Sequence, residues 1–278
     1  MIKHALLIFV LLLSGNASAF QPFFDEDPAT KHAPEDPELT DLDLDVLELC
    51  GGWGDRVEAR DFEVMMLKPG NRDALLRIYS ALSQRVYRKT DDLTDFVVQL
   101  RQAWFQQKGF KHVFCGEPGE GADLGGFHYA ARYWQAEDNN WAGYRKLKGN
   151  YKNRPLEKCR VFYLKERLNH PIYSISVEFQ NKVDPDNNVK CLSGYHHELN
   201  AERLLIAGTM ALKQANKRAD RDAKEVCIYP TNIQGVKFHH STLVLRQRAL
   251  RTFYPIAEKK PYCRKNKNDY KDCYCSRL

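Results

Sequence analysis

Residues 109–134 read GFKHVFCGEPGEGADLGGFHYAARYW, and the folding of this stretch organises the rest of the chain. It carries two histidines, His112 and His128, sixteen residues apart, with Glu117 and a run of glycines between them. The glycine-rich segment 116–126 cannot be helical along its length, because glycine loses the most backbone freedom on ordering. Before it, Val97, Leu100 and Trp104 share a face of a helix that starts near Thr94, and the sequence predicts that this helix stops at Gly109. His112-Val113-Phe114-Cys115 then suits a short strand leaving the turn. After it, Phe127, Ala130, Ala131 and Trp134 resume helical spacing, so His128 sits near a helix N-terminus, where the dipole predicts a lowered imidazole pKa.

Working outward, Leu75, Ile78, Tyr79, Leu82 and Val86 follow a 3.6-residue period behind Asn71 as cap, a second amphipathic helix. Downstream, Tyr173, Ile175, Val177 and Phe179 alternate with polar residues, the period of a half-buried strand, with RVFYL (160–164) as a hairpin partner. DPDNN (184–188) makes a turn, VKCLSGY (189–195) a strand, and Asn200 caps a helix carrying Leu204, Leu205 and Leu212. EVCIY (225–229) and STLVLRQRALRTFYP (241–255) are strand-like. Helices first and antiparallel strands later predict an α+β fold.

The chain opens with Lys3, nine apolar residues from Ala5 to Leu13, and Ala17-Ser18-Ala19, the pattern of a signal peptide over 1–19 cleaved after Ala19. Nine apolar residues are too few to span a bilayer, which needs about 20. The expected destination is the periplasm or the outside of the cell. All eight cysteines lie after that segment, and an even number in an exported chain predicts disulfides. Cys273-x-Cys275 with Cys263 ten residues earlier matches no standard zinc spacing.

Residues 20–48 are rich in acid and proline and are expected to form a poorly ordered leader, ahead of a domain at 49–258 and a basic, cysteine-containing tail at 259–278. Residues 49–278 carry 40 basic against 26 acidic side chains, a net of +14 that would attract polyanions such as RNA. The adjacent pairs His196-His197 and His239-His240 cannot chelate as doublets in a strand, where neighbours point to opposite faces.

Taken alone, His112 and His128 admit three readings. They lack the i, i+4 helical spacing of a zincin pair; they could share one proton for general acid/base work; or they could be structural. The surrounding motifs narrow the choice. GFKHVFCGE followed by GGFHYAARYW and then Gly143-Tyr144 resembles the EndoU (XendoU-like) endoribonucleases, whose motifs read GFEHVFxGE, then GFHNW, then Gly-Tyr. VKCLSGY is similar to that family's strand bearing a catalytic lysine, here Lys190, and RTFYP (251–255) to its (G/S)-T-x-Y-P element, giving Thr252 and Tyr254.

The resemblance implies two antiparallel sheets flanked by helices, with His112, His128 and Lys190 in their cleft. It implies cleavage of RNA at uridylates through the ribose 2′-hydroxyl, leaving a 2′,3′-cyclic phosphate and a 5′-hydroxyl, with Thr252 and Tyr254 at the base. Some members of the family depend on Mn²⁺. Here Lys111 stands where they have glutamate, which makes a carboxylate-rich ion site less expected, and Glu117 would either bind an ion or, the favoured role, orient a histidine. A non-catalytic RNA- or polyanion-binding protein and a disulfide-stabilised interaction or toxin module are the alternatives.

Overall fold

In the computed structural model the described residues are 20–24, 34–119, 124–145, 167–216, 224–256 and 273–277. The expected signal peptide, the RVFYL hairpin partner and most of the basic tail lie outside them. The N-terminal helices begin where side chains can accept the N–H groups that a first turn leaves unpaired. Thr40 and Asp43 cap each other's backbone at the start of α1 (Asp41–Cys50). α2 (Ala59–Met66) and α3 (Arg72–Ala81) follow, and α4 (Leu93–Phe105) opens at Asp92, which accepts from Thr94 and Asp95.

Asn71 precedes α3 but does not cap it, because its side-chain amide donates to Asp45 and to the Met65 carbonyl. The helix also ends earlier than its apolar period, since Ser83 and Gln84 take positive φ; Leu82 and Val86 are buried beyond its end.

A first sheet is centred on β3. β4 (Val189–His196) covers one edge of β3 (Ile172–Phe179), while β1 (Ala142–Tyr144) and β2 (Arg167–Asn169) lie end to end along the other, all antiparallel. Between them come α5 (Ala130–Asp138), before β1, and α6 (Ala201–Ala215), after β4, where Asn200 accepts from the Arg203 N–H as expected of a cap. The second sheet is an antiparallel meander of β5 (Lys224–Thr231), β6 (His239–Arg246) and β7 (Ala249–Ile256). Its last hairpin turns on Gln247 and Arg248 at φ 47° and 62°, so the run read as one strand-like segment is two strands.

Each sheet closes its own core. Helices α1 to α4 and α6 pack on the second sheet, with Trp104 at the centre donating to Thr209. The first sheet packs on α5 and on Phe23 and Phe24. The two sheets meet along β4 and β7, and the predicted site residues gather at that seam.

The expectation of a disordered leader over 20–48 fails for its described residues. Phe23 and Phe24 are 3% exposed and their N–H groups donate to Glu137, while Leu42, Val46 and Leu47 of α1 are buried. Dense acid hid an amphipathic helix, and one of the acids is structural: buried Asp43 accepts from the Tyr129 hydroxyl and from the Ala201 N–H at 2.6 Å.

Among the described residues no cysteine is free; Cys50 is bonded to Cys115 and Cys227 to Cys275, which pins the end of the tail to β5. Among the described residues no helix is long and apolar enough to cross a membrane.

Candidate active site

The segment carrying His112 is helical rather than extended. After α4 the chain turns at Lys108 (φ 56°), and Lys111–Cys115 form a single π-helical turn, a local form often found at functional sites. Cys115 fastens the end of that turn to the end of α1. Gly109 is not a helix stop but a point of close approach: a Cβ there would lie 2.2 Å from the Leu250 carbonyl oxygen, so a side chain would push the turn off β7.

Beyond Cys115 the chain loops out and returns on itself. Glu117 and Gly125 exchange backbone hydrogen bonds of 2.9 and 3.3 Å, closing the neck of the loop. Phe127 N–H then donates to the His112 carbonyl at 2.8 Å and His128 N–H to the Val113 carbonyl at 2.9 Å. That double contact needs glycine at 126, where φ is +62° and a Cβ would lie 1.6 Å from the His112 oxygen. Residues sixteen apart thereby become neighbours, with ring centroids 5.9 Å apart.

Both rings are held by Nδ1. His112 Nδ1 lies 2.6 Å from Glu117 Oε2, and His128 Nδ1 lies 2.9 Å from the Gly194 carbonyl oxygen. A carbonyl only accepts, so His128 carries its proton on Nδ1 and presents a lone pair on Nε2. Neither Nε2 is hydrogen-bonded to a described residue or sealed from solvent.

Burial lowers the pKa of His128 well below the ordinary histidine value, and the Lys190 and His112 charges lower it further. The direction is the one expected of a helix N-terminus, but burial is the main cause. His112 is also lowered, by burial first, while Glu117 pulls it back up and Arg251 and Lys190 push it down. For Glu117, 2% exposed, burial favours the neutral acid but hydrogen bonds from His112 and Arg251 outweigh it and hold the carboxylate at about 2.

β4 supplies Lys190, whose ammonium donates to the Gly126 carbonyl, and Ser193, whose hydroxyl donates to the Phe127 carbonyl at 2.9 Å. β7 supplies the remainder. Tyr254 stacks on His128 at 5.1 Å, and Thr252 is 8% exposed with a buried hydroxyl that has no partner.

All six predicted site residues therefore meet at one seam: His112, Glu117, His128, Lys190, Thr252 and Tyr254. Sequence reasoning missed two more. Ser193 holds the Phe127 carbonyl on the loop before His128, and Arg251 donates to both oxygens of Glu117, at 2.9 and 2.7 Å. Arg251 was visible as the charge directly before Thr252, but nothing in the sequence said which acid it meets.

The donor set does not fit Mn²⁺, a cation that prefers carboxylate, carbonyl and water oxygens. Glu117 is the carboxylate at the rings, and both its oxygens are engaged, one by Arg251 and the other by His112 and Arg251 together. Among the described residues no group of three or more His, Cys, Asp or Glu is placed to hold a metal ion.

The two doublets contribute elsewhere. His196 and His239, one from each, lie with ring centroids 4.2 Å apart, buried between β4 and β6.

A family model described as "Bacterial EndoU nuclease" matches residues 106–257. Among solved structures the chain is similar to one described as "The structure of XendoU: a splicing independent snoRNA processing endoribonuclease", with 16% identity and a TM-score of 0.48 over 77% of this chain and 76% of that one. Among curated proteins the comparison found no match.

Proposed function

This chain belongs to the bacterial EndoU nuclease family, and from that premise we propose that it is an exported endoribonuclease that cuts single-stranded RNA at uridylates through the ribose 2′-hydroxyl. The observation that carries the chemistry is the pair of imidazoles 5.9 Å apart, each fixed at Nδ1 and open at Nε2.

His128 is the base. Its Nε2 lone pair accepts the 2′-hydroxyl proton, and its depressed pKa keeps that lone pair unprotonated in the resting enzyme. The O2′–phosphorus bond forms as the phosphorus–O5′ bond breaks. His112 is the acid: Glu117 at 2.6 Å stabilises its imidazolium, whose Nε2 proton passes to the departing 5′ oxygen. The products are a 2′,3′-cyclic phosphate and a 5′-hydroxyl, and proton exchange with water resets both rings. Lys190 offsets the extra charge that builds on the phosphoryl oxygens, where a preorganised cation is most effective.

The same seam accounts for base choice. Thr252 holds a buried hydroxyl with an unused hydrogen bond, suited to a pyrimidine edge, and Tyr254 adds an aromatic face beside His128. The net charge of +14 over residues 49–278 would draw in a polyanion, and the disulfides support an oxidising compartment reached through the N-terminal signal.

The test uses the purified oxidised protein with three oligonucleotides: one RNA uridine in a DNA strand, the same strand with 2′-deoxyuridine, and the same strand with cytidine as its ribonucleotide. Cutting of the first alone, leaving a cyclic phosphate, is the expected result. Cutting of the deoxy strand would overturn the 2′-hydroxyl mechanism, and equal cutting at cytidine would overturn uridylate choice. Salt-sensitive binding with no cutting would make the protein a non-catalytic RNA binder.

A further inference from the structure

We propose that Arg251 is a positioning residue for this chemistry: its guanidinium clamps Glu117 so that the carboxylate holds His112 at Nδ1 and keeps its Nε2 on the reacting phosphate. What His112 does rests on the endoribonuclease reading; how it is held does not.

The geometry is that of a relay with three members. Arg251 donates to Glu117 Oε1 at 2.9 Å and to Oε2 at 2.7 Å, and Oε2 is also the atom 2.6 Å from His112 Nδ1. A two-pronged Arg–carboxylate contact fixes direction as well as charge, which a lysine cannot do. The same guanidinium also reaches the Gln107 and Lys108 carbonyls at 3.4 and 3.5 Å. Arg251 therefore ties β7 to both flanks of the π-helical turn: the backbone before it and Glu117 after it.

Glu117 needs such a partner because a buried carboxylate is costly unless it is paired. His112 alone would serve only while protonated, and the acid role requires it to give that proton up. With Arg251 in place Glu117 stays ionised in both states of His112, so the hydrogen bond to Nδ1 outlasts the transfer. Among the described residues the charged and titratable groups facing His112 are Glu117, Arg251, Lys190 and His128. Of these Glu117 alone raises its pKa, while Arg251 and Lys190 lower it. Arg251 thus makes His112 a stronger acid while holding the carboxylate that aims it.

The experiment compares Arg251→Gln and Arg251→Lys with the wild type in two measurements: NMR titration of the His112 ring, and the pH dependence of kcat and KM. Arg251→Gln removes a cation, so His112 should titrate at higher pH and the alkaline limb of kcat should move up with it. kcat at the optimum should fall about 10- to 100-fold, as for a misaligned reacting group, with KM within about twofold. Arg251→Lys should restore the titration but only part of kcat. Unmoved titration in Arg251→Gln with reduced activity would reduce Arg251 to a structural tie, and wild-type kcat would overturn the proposal outright. Should Arg251→Gln not fold, Glu117→Gln gives the opposite shift, His112 titrating lower, and an unshifted ring overturns the relay. The titration needs no substrate, so a protein that cuts no RNA would still report on the clamp.

Discussion

Two pairs of histidines lie at the joins of this molecule, and their difference separates chemistry from packing. His112 and His128 stand 5.9 Å apart with each Nδ1 anchored, a cation nearby and neither Nε2 sealed from solvent. His196 and His239 stand closer, at 4.2 Å, but they are 1% and 6% exposed and both Nε2 atoms are buried without a partner. His196 accepts from the Glu198 N–H and His239 lies 2.9 Å from the Lys237 carbonyl, so each ring is held by nearby backbone. Proximity of imidazoles alone therefore does not mark a site. What marks it is a neighbouring charge and a nitrogen that substrate can reach.

The largest expected effect breaks the comparison in two directions. His112→Ala and His128→Ala should each lower kcat by about a thousandfold, within the usual range for an acid or base, while shifting stability by no more than about 1 kcal/mol. His196→Asn should leave kcat at neutral pH within a few fold of wild type. Melting temperatures and cleavage rates measured on the same preparations decide it: loss of activity in His196→Asn with full folding would give the buried pair a role in catalysis.

The second effect is on stability, and its sign follows from burial. Burial first, then the neighbouring His239, hold the His196 pKa at about 2, against 6.5 for the ordinary residue. As pH falls below 6.5 the unfolded chain takes up this proton and the folded one does not. The stability that neutral His196 supports is therefore complete above 6.5 and is lost as pH falls toward the folded value, by about 1.4 kcal/mol per pH unit. Denaturant titrations between pH 6.5 and 4.5 should show His196→Asn with a flatter decline than wild type. Parallel declines would mean that the pair accepts protons without unfolding.

How much of this was legible in the sequence differs between the two pairs for the same physical reason. The motifs around His112 and His128 are local, and Gly126, which a side chain would drive into the His112 carbonyl, lies inside the quoted stretch. The sequence around His112 suits a strand where the chain forms a π-helical turn, because four residues hold too little periodicity to tell the two apart. The pairing of His196 with His239 depends on how β4 and β6 meet across the seam, and no local pattern encodes it. The same holds for Arg251 and Glu117, 134 residues apart. In the leader, composition overrode pattern: ten acids over residues 1–48 concealed the spacing of Leu42, Val46 and Leu47.

The smallest expected effect sharpens the comparison from the side of metal chemistry. If Glu117 were a ligand, a chelator would stop cleavage and Mn²⁺ would restore it. Arg251 and His112 already occupy its oxygens, and a divalent ion would have to displace a two-pronged guanidinium while sitting among Lys190 and two imidazoles that turn cationic when protonated. Like charge at that distance opposes the ion, and the carboxylate it needs is already neutralised. Cleavage by wild type should therefore proceed at the same rate, within about twofold, in excess EDTA and in millimolar Mn²⁺. Loss in EDTA with recovery on adding Mn²⁺ would show that the clamp on Glu117 opens, and would move the charge on the phosphoryl oxygens from Lys190 to a bound ion.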